Sequence, residues 1–134
     1  MSKQTGQCLC GAVVYEIEGD FLINGVCHCK NCQRQAGSAF SIIAGVPKAN
    51  FKLTRGTLKL FEDTGDSGKK VQRRFCGDCG SPILSETADQ PDAVFIKAGT
   101  LDDTSGLSPQ FHVWCDSAQN WVEIPDGVAA VAKQ

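Results

Sequence analysis

Eight cysteines stand in this chain of 134 residues, and seven of them fall into three local groups. These are Cys8-Leu9-Cys10-Gly11, Cys27-His28-Cys29-Lys30-Asn31-Cys32 and Cys76-Gly77-Asp78-Cys79-Gly80. Clustered thiolates are soft ligands, and zinc is the ion they most often hold. The third group has the form of a zinc knuckle, in which two thiolates three positions apart face one ion and the following glycine permits a tight bend. A knuckle supplies two ligands and needs two more. Cys8 and Cys10 can supply them, because residues separated by one lie on the same side of an extended segment. The expected result is a closed, tetrahedral site on Cys8, Cys10, Cys76 and Cys79 that ties the N-terminal segment to the middle of the chain. The competing reading is a cluster of free buried cysteines.

The middle group offers three thiolates within six residues. Three protein ligands leave one coordination position open, which is the usual distinction between a catalytic zinc and a structural one. Cys27, Cys29 and Cys32 are therefore the candidate catalytic residues. Cys29 and Cys32 are expected at the start of a short helix, where free backbone amides favour the thiolate. Two alternatives stay open. Cys115 could close the site as a fourth ligand, although a cysteine beside Trp114 reads first as core; and Cys29 with Cys32 could form an exchangeable redox pair. His28 is read as a neighbour that shapes the site or faces solvent, its side chain pointing away from those of Cys27 and Cys29. His112, Trp114 and Trp121 read as core and lid packing.

The elements that must position these groups are short. Alternating apolar residues at Val13, Tyr15 and Ile17, at Leu58 and Leu60, and at Val71 and Phe75 predict strands, as do the apolar runs Phe40–Val46 and Ala93–Ile96. Turn-rich stretches at Gly65–Gly68 and Asp102–Gly106 separate them. One helix of a turn or two is predicted over Asn31–Ala36, with Asn31 as its N-cap and Gly37 as its stop. The expectation is a mainly β, single domain over residues 1–134.

Composition narrows the partners. A formal charge of -2 argues against nucleic acid, whose non-specific affinity comes from cations on the protein. Lys69, Lys70, Arg73 and Arg74 form one basic cluster, read as a solvated strand face or as an anchor for a ligand's carboxylates. The chain shows no secretory signal and no apolar stretch of roughly 20 residues, so no membrane is expected and the cytoplasm is. In that reducing compartment cysteines favour metal or catalysis over disulfides.

Four segments taken together resemble one family: C-L-C-G-A-V-V-Y from position 8, C-H-C-K-N-C-Q-R-Q-A-G-S-A-F from 27, F-C-G-D-C-G-S-P-I from 75 and H-V-W-C-D-S-A-Q-N-W-V-E-I-P-D-G from 112. Their order and gaps resemble the glutathione-dependent formaldehyde-activating enzymes, whose domain also occurs in centromere protein V. The resemblance implies a small, Mss4-like β fold with a structural zinc on Cys8, Cys10, Cys76 and Cys79 and a second, functional zinc near Cys27, Cys29 and Cys32. It implies a carbon-sulfur lyase-type activity read backwards, the condensation of glutathione with formaldehyde to S-hydroxymethylglutathione. Gln33, Arg34 or Ser38 would then help hold the thiol's peptide. Cys115 departs from the apolar or small residue expected after His-x-Trp. The alternative of another class is a non-catalytic, zinc-stabilised module that binds a thiol or a protein.

Overall fold

The computed structural model describes residues 3–65 and 68–133. Asp66 and Ser67, the middle of the turn expected at Gly65–Gly68, lie outside the described residues. A three-stranded antiparallel sheet contains β1 (Lys3–Gln7), β2 (Val14–Glu18) and β5 (Phe51–Arg55), with β2 in the centre. The larger sheet is built from β3 (Ile23–Cys27), β4 (Ser41–Pro47), β6 (Leu58–Thr64), β7 (Lys70–Cys76), β8 (Pro82–Thr87), β9 (Ala93–Lys97), β10 (Phe111–Val113) and β11 (Ala129–Ala130). Its order is β11-β10-β3-β4-β9-β8-β7-β6, and β10 runs parallel to both β3 and β11. The mainly β expectation holds.

Because side chains alternate across a strand, each apolar run serves both faces of the large sheet. Ala44 and Val46 on β4, Val94 and Ile96 on β9, and Leu84 on β8 point to one side, where they bury against Tyr15 and Ile17 of the small sheet. Tyr15, Ile17, Val46 and Ile96 are fully enclosed there. Ser41, Ile43, Phe95, Lys97, Ser85 and Arg73 alternate with those core residues and belong to the opposite face, in a register that sets Arg73 across from Ser85 and Ile43 across from Lys97. The apolar runs therefore supply a core on one side and a cavity wall on the other.

The single α-helix among the described residues, α1, spans Lys30–Ala36 and ends as expected at Gly37, which takes a left-handed conformation at φ 63°. Its N-cap is not Asn31. Cys29 caps it instead, its Sγ accepting the Cys32 amide at 3.2 Å. Asn31 lies inside the helix, and its side chain donates to the Asp63 carboxylate and to the Thr64 carbonyl. A cysteine takes the capping role because its sulfur, like a serine oxygen, can accept from the helix's third amide. No helix among the described residues is long and apolar enough to cross a membrane.

Candidate functional site

Two groups of sulfur atoms gather in space. The Sγ atoms of Cys8, Cys10, Cys76 and Cys79 all lie within 4.8 Å of one another, and so do those of Cys27, Cys29 and Cys32.

The first group joins two turns of similar design. Gly11 and Gly80 each follow the second cysteine of a pair, and both adopt φ 80°, the left-handed region where a side chain would be strained. The Gly11 amide closes on the Cys8 carbonyl at 3.2 Å and the Gly80 amide on the Cys76 carbonyl at 2.8 Å. Cys8 and Cys10 thus sit on a tight turn rather than the extended segment that their spacing suggested. A closed turn brings the two sulfurs to 3.6 Å, and Cys10 lies 3.8 Å from Cys76. Four sulfurs around one zinc, at about 2.3 Å each, would be separated by about 3.8 Å along each tetrahedral edge. The donor set fits that ion in chemistry and in spacing.

Backbone amides of Val13 and Asp78 donate to the sulfurs of Cys8 and Cys76 at 3.2 and 3.4 Å. Such bonds favour anionic sulfur and fix its lone pairs. Cys79 is held down to about 5 by the Ser81 hydroxyl, then by the Ser81 and Cys10 backbone. The Ala12 amide acts on Cys10 in the same sense, but crowding by Cys8, partial burial, Cys79 and Cys76 pushes its thiol up to about 12. Four adjacent thiols cannot all ionise alone; a divalent cation removes that conflict.

The second group stands where β3 runs into α1: Cys27 ends the strand, Cys29 caps the helix and Cys32 lies in its first turn. Its sulfurs again titrate against one another. Cys32 is held down to about 2, first by hydrogen bonds from Cys27 and Cys29, against burial, and then by the charges of Lys97 and Arg73. Cys27 is pushed up by its contacts with the sulfurs of Cys29 and Cys32 and by burial. Three cysteine sulfurs, the Arg73 guanidinium and the Lys97 amine beside them, and a wall open to a cavity are compatible with a metal held by the protein on one side only.

That cavity has a volume of about 400 Å³, and Cys27, Cys29, Cys32, Arg73 and Lys97 line one part of it. Lys97 is 6% exposed and donates from Nζ to the Ser41 hydroxyl at 2.8 Å. Arg73 is 5% exposed and pairs through Nε with the Asp63 carboxylate at 2.9 Å. The basic cluster of the sequence is therefore not one solvated strand face. Arg73 faces the cavity, whereas Arg74 pairs with Glu86, which also holds Lys48 at 3.1 Å. Alternation along β7 separates the two neighbours.

Behind the cysteines, His28 is fully buried and does not face solvent. Its Nε2 lies 2.8 Å from Nδ1 of His112, its backbone amide donates to the Val113 carbonyl, and its ring meets the edge of Phe40. Burial depresses both imidazoles, so this pair is neutral at physiological pH and joins β10 to the strand-helix junction. Gln33 extends that bracing: it donates to the carbonyls of His28 and Ser117 and accepts from Gln119. Arg34 and Ser38 are exposed, and none of Gln33, Arg34 and Ser38 is among the residues lining the cavity.

Cys115 lies outside the sulfur cluster, its thiol 3.6 Å from the His112 carbonyl. Trp114 does line the cavity, and it alone among the described non-glycine residues has positive φ, at 57°. Left-handed backbone at a bulky residue is strained by about 1–2 kcal/mol, and such strain gathers at binding sites. Trp121, expected as packing, is 71% exposed. Sequence reasoning missed Lys97 as a site residue. Its only signal was a lysine ending the apolar run of β9, where strand alternation assigns it to the face opposite Ile96.

Comparison with known proteins places these features in context. The sequence model described as glutathione-dependent formaldehyde-activating enzyme matches residues 3–117. A protein of Aspergillus flavus named "Putative glutathione-dependent formaldehyde-activating enzyme" is 31% identical over 129 residues, covering 92% of this chain and 66% of its own length. One of the same name from Talaromyces marneffei is 26% identical over 127 residues, covering 92% of this chain and 67% of its own. The chain thus spans about two-thirds of the length of these relatives, slightly under that share for the Aspergillus protein. A crystal structure of a Rhodobacter sphaeroides protein superposes with a TM-score of 0.61 at 22% identity, covering 95% of this chain and 98% of that one, and shares the fold.

Proposed function

Because this chain belongs to the glutathione-dependent formaldehyde-activating enzyme family, we propose that it condenses a glutathione-like thiol with a small aldehyde at Cys27, Cys29 and Cys32. The observation that carries this reading is a cluster of three cysteines opening on a cavity that also contains two buried cations. In this reading Cys8, Cys10, Cys76 and Cys79 hold a structural zinc, and Cys27, Cys29 and Cys32 hold a second. That second ion, when bound, supplies a coordination position at which an incoming thiol is favoured as thiolate.

The rest is work for the chain's own residues. Burial lowers the Lys97 pKa and the Cys32 sulfur opposes that shift, so Lys97, with Arg73, brings positive charge where anionic sulfur stands beside it and lowers the free energy of one more. Asp63 and Ser41 hold those two side chains in place, so their charges are aimed before substrate arrives. The sheet face and Trp114 both contribute to the wall of the cavity in which the reacting atoms would meet. The thiol sulfur forms a bond to the carbonyl carbon, the carbonyl π pair moves to oxygen, and the proton lost from sulfur ends on that oxygen. Nothing is oxidised or reduced. The chain would work in the cytoplasm, where reducing conditions keep its thiols available.

The test is magnetisation-exchange NMR on glutathione and formaldehyde with protein of measured zinc content. The expected result is two zinc ions per chain and exchange faster than the spontaneous reaction. Exchange at the background rate in fully loaded protein refutes catalysis, and a single tightly held zinc points to a scaffold that binds without reacting.

A further inference from the structure

Lys97 is the one buried lysine among the described residues, and it ends β9. Strand register explains where its amine goes. Ser41 of β4 lies directly across from Cys27 of β3, and Ile43, two positions on, lies across from Lys97. Residues paired across antiparallel strands share a face with Cβ atoms about 5 Å apart, so Cys27, Ser41 and Lys97 all belong to the cavity side. From its place opposite Ile43, the Lys97 side chain reaches diagonally to the Ser41 hydroxyl, which accepts from Nζ at 2.8 Å. That bond brings the amine to the end of the cavity where Cys27 stands.

Nζ has donors to spare there. A lysine amine carries two or three N–H groups, yet among the described residues Ser41 is the one hydrogen-bond partner of Nζ, and no carboxylate pairs with it. Arg73, the other buried cation of the cavity, is by contrast held by Asp63. Ser41 is 2% exposed and does not line the cavity, whereas Lys97 does, so the hydroxyl holds the amine from behind. Buried donors without acceptors are unfavourable, which points to an acceptor that arrives with substrate.

The condensation supplies one. As sulfur joins the carbonyl carbon, the π pair collects on oxygen beside a sulfur cluster that itself carries negative charge. Charge growing there is opposed unless a fixed donor meets it. We propose that Lys97 is the catalytic residue that receives the aldehyde oxygen, its Nζ donating to that oxygen while Ser41 holds the amine in place. This rests on the condensation reading above and names the group that serves its oxygen. An amine donates whether or not it holds its third proton, and Lys97 keeps its own protons throughout; the proton lost from the thiol still ends on the oxygen.

The experiment uses the zinc-loaded chain and two glutathione derivatives that differ at one group. S-hydroxymethylglutathione carries a hydroxyl where S-ethylglutathione carries a methyl, and both are measured at the same excess of formaldehyde, which keeps the first one formed. The wild-type chain should bind the hydroxymethyl compound about tenfold more tightly, and Lys97→Met, of similar length, should abolish that preference. In exchange NMR with glutathione and formaldehyde, Lys97→Met should lose about a hundredfold of the protein-dependent rate. In wild-type chain with isotope-labelled lysine nitrogen, the solvent-protected Nζ signal should shift with the hydroxymethyl compound and not with the ethyl one, a readout that needs no variant to fold. A hydroxyl preference or exchange rate untouched by Lys97→Met, or an Nζ signal blind to the hydroxyl, overturns the proposal and leaves the condensation reading standing. Equal weakening of both compounds puts a ligand carboxylate on Nζ and overturns it too. Exchange at the background rate in the wild-type chain overturns the condensation reading, and the assignment of Lys97 with it.

Discussion

Replacing Asp63 by alanine should be one of the more damaging changes outside the cysteines. The carboxylate on β6 accepts from Arg73 Nε of β7 at 2.9 Å and from Asn31 of α1 at 3.1 and 3.3 Å, so one side chain joins the edge of the sheet to the helix that carries Cys32. Side-chain exposures of 6% for Arg73 and 18% for Asp63 make this a largely buried pair. Removing one partner of such a pair costs about 3–5 kcal/mol, because the remaining charge stays out of water. Partial access of solvent to Asp63 argues for the lower end, about 3 kcal/mol, and the lost Asn31 bonds add about 1 kcal/mol. Against a total stability of about 5–15 kcal/mol that is a large fraction. The assay is urea unfolding of the zinc-saturated protein for Asp63→Ala, Arg73→Met and the double variant. The double variant should be less destabilised than the sum of the singles, by about 2 kcal/mol, since it leaves no orphaned guanidinium. A loss under about 1 kcal/mol for Asp63→Ala, or additivity within about 0.5 kcal/mol, refutes the assignment of Asp63 as the group that holds Arg73.

Other consequences follow from single residues. Cys76→Ser should release one zinc and abolish folding, whereas Cys32→Ser should release one zinc and leave the circular-dichroism spectrum unchanged; native mass spectrometry with far-UV spectra tests both. Glu86 is partly buried, which opposes ionisation, yet the Arg74 and Lys48 bonds dominate and lower its pKa from the ordinary 4.5. The stability from that cluster is full above pH 4.5 and falls as acid takes the pH down through the folded value, so Glu86→Gln should flatten the acid limb of a Tm-against-pH curve. Tyr15 is the chain's single tyrosine, and burial, against its hydrogen bond with Thr100, pushes its phenol up to about 12. Its 295 nm absorbance should therefore stay flat through pH 10 in the folded state, with stability declining between the unfolded and folded values; a midpoint near 10 in folded protein contradicts the buried placement. Tyr15→Phe should cost about 1 kcal/mol in thermal unfolding, the net worth of the Thr100 bond.

The strands were legible because alternation and apolar runs follow directly from burial on one or both faces. Leu58 and Leu60 predicted β6, Val71 to Phe75 predicted β7, and the run at Ala93–Ile96 predicted β9. Gly37 was readable as a helix stop because left-handed backbone favours glycine. Asn31 was misjudged as the cap because an asparagine normally outcompetes a cysteine for that role, and the Asp63 carboxylate and Thr64 carbonyl on a distant strand draw its side chain elsewhere. Gly11 makes a turn at Cys8 and Cys10, where spacing alone suggested an extended pair.

By itself, then, the sequence determined the chemistry available: which sulfurs form local groups, which segments extend, and where glycine lets the chain bend. Those properties are local, set by residue type and by separations of a few positions. The tertiary structure decided which groups share a space. It brought Cys10 to 3.8 Å from Cys76, turned Arg73 inward and Arg74 to the other face, and set Lys97 beside a cluster some seventy positions earlier. Strand order and register make those placements, and both depend on pairing between segments far apart in the chain, which no local pattern records.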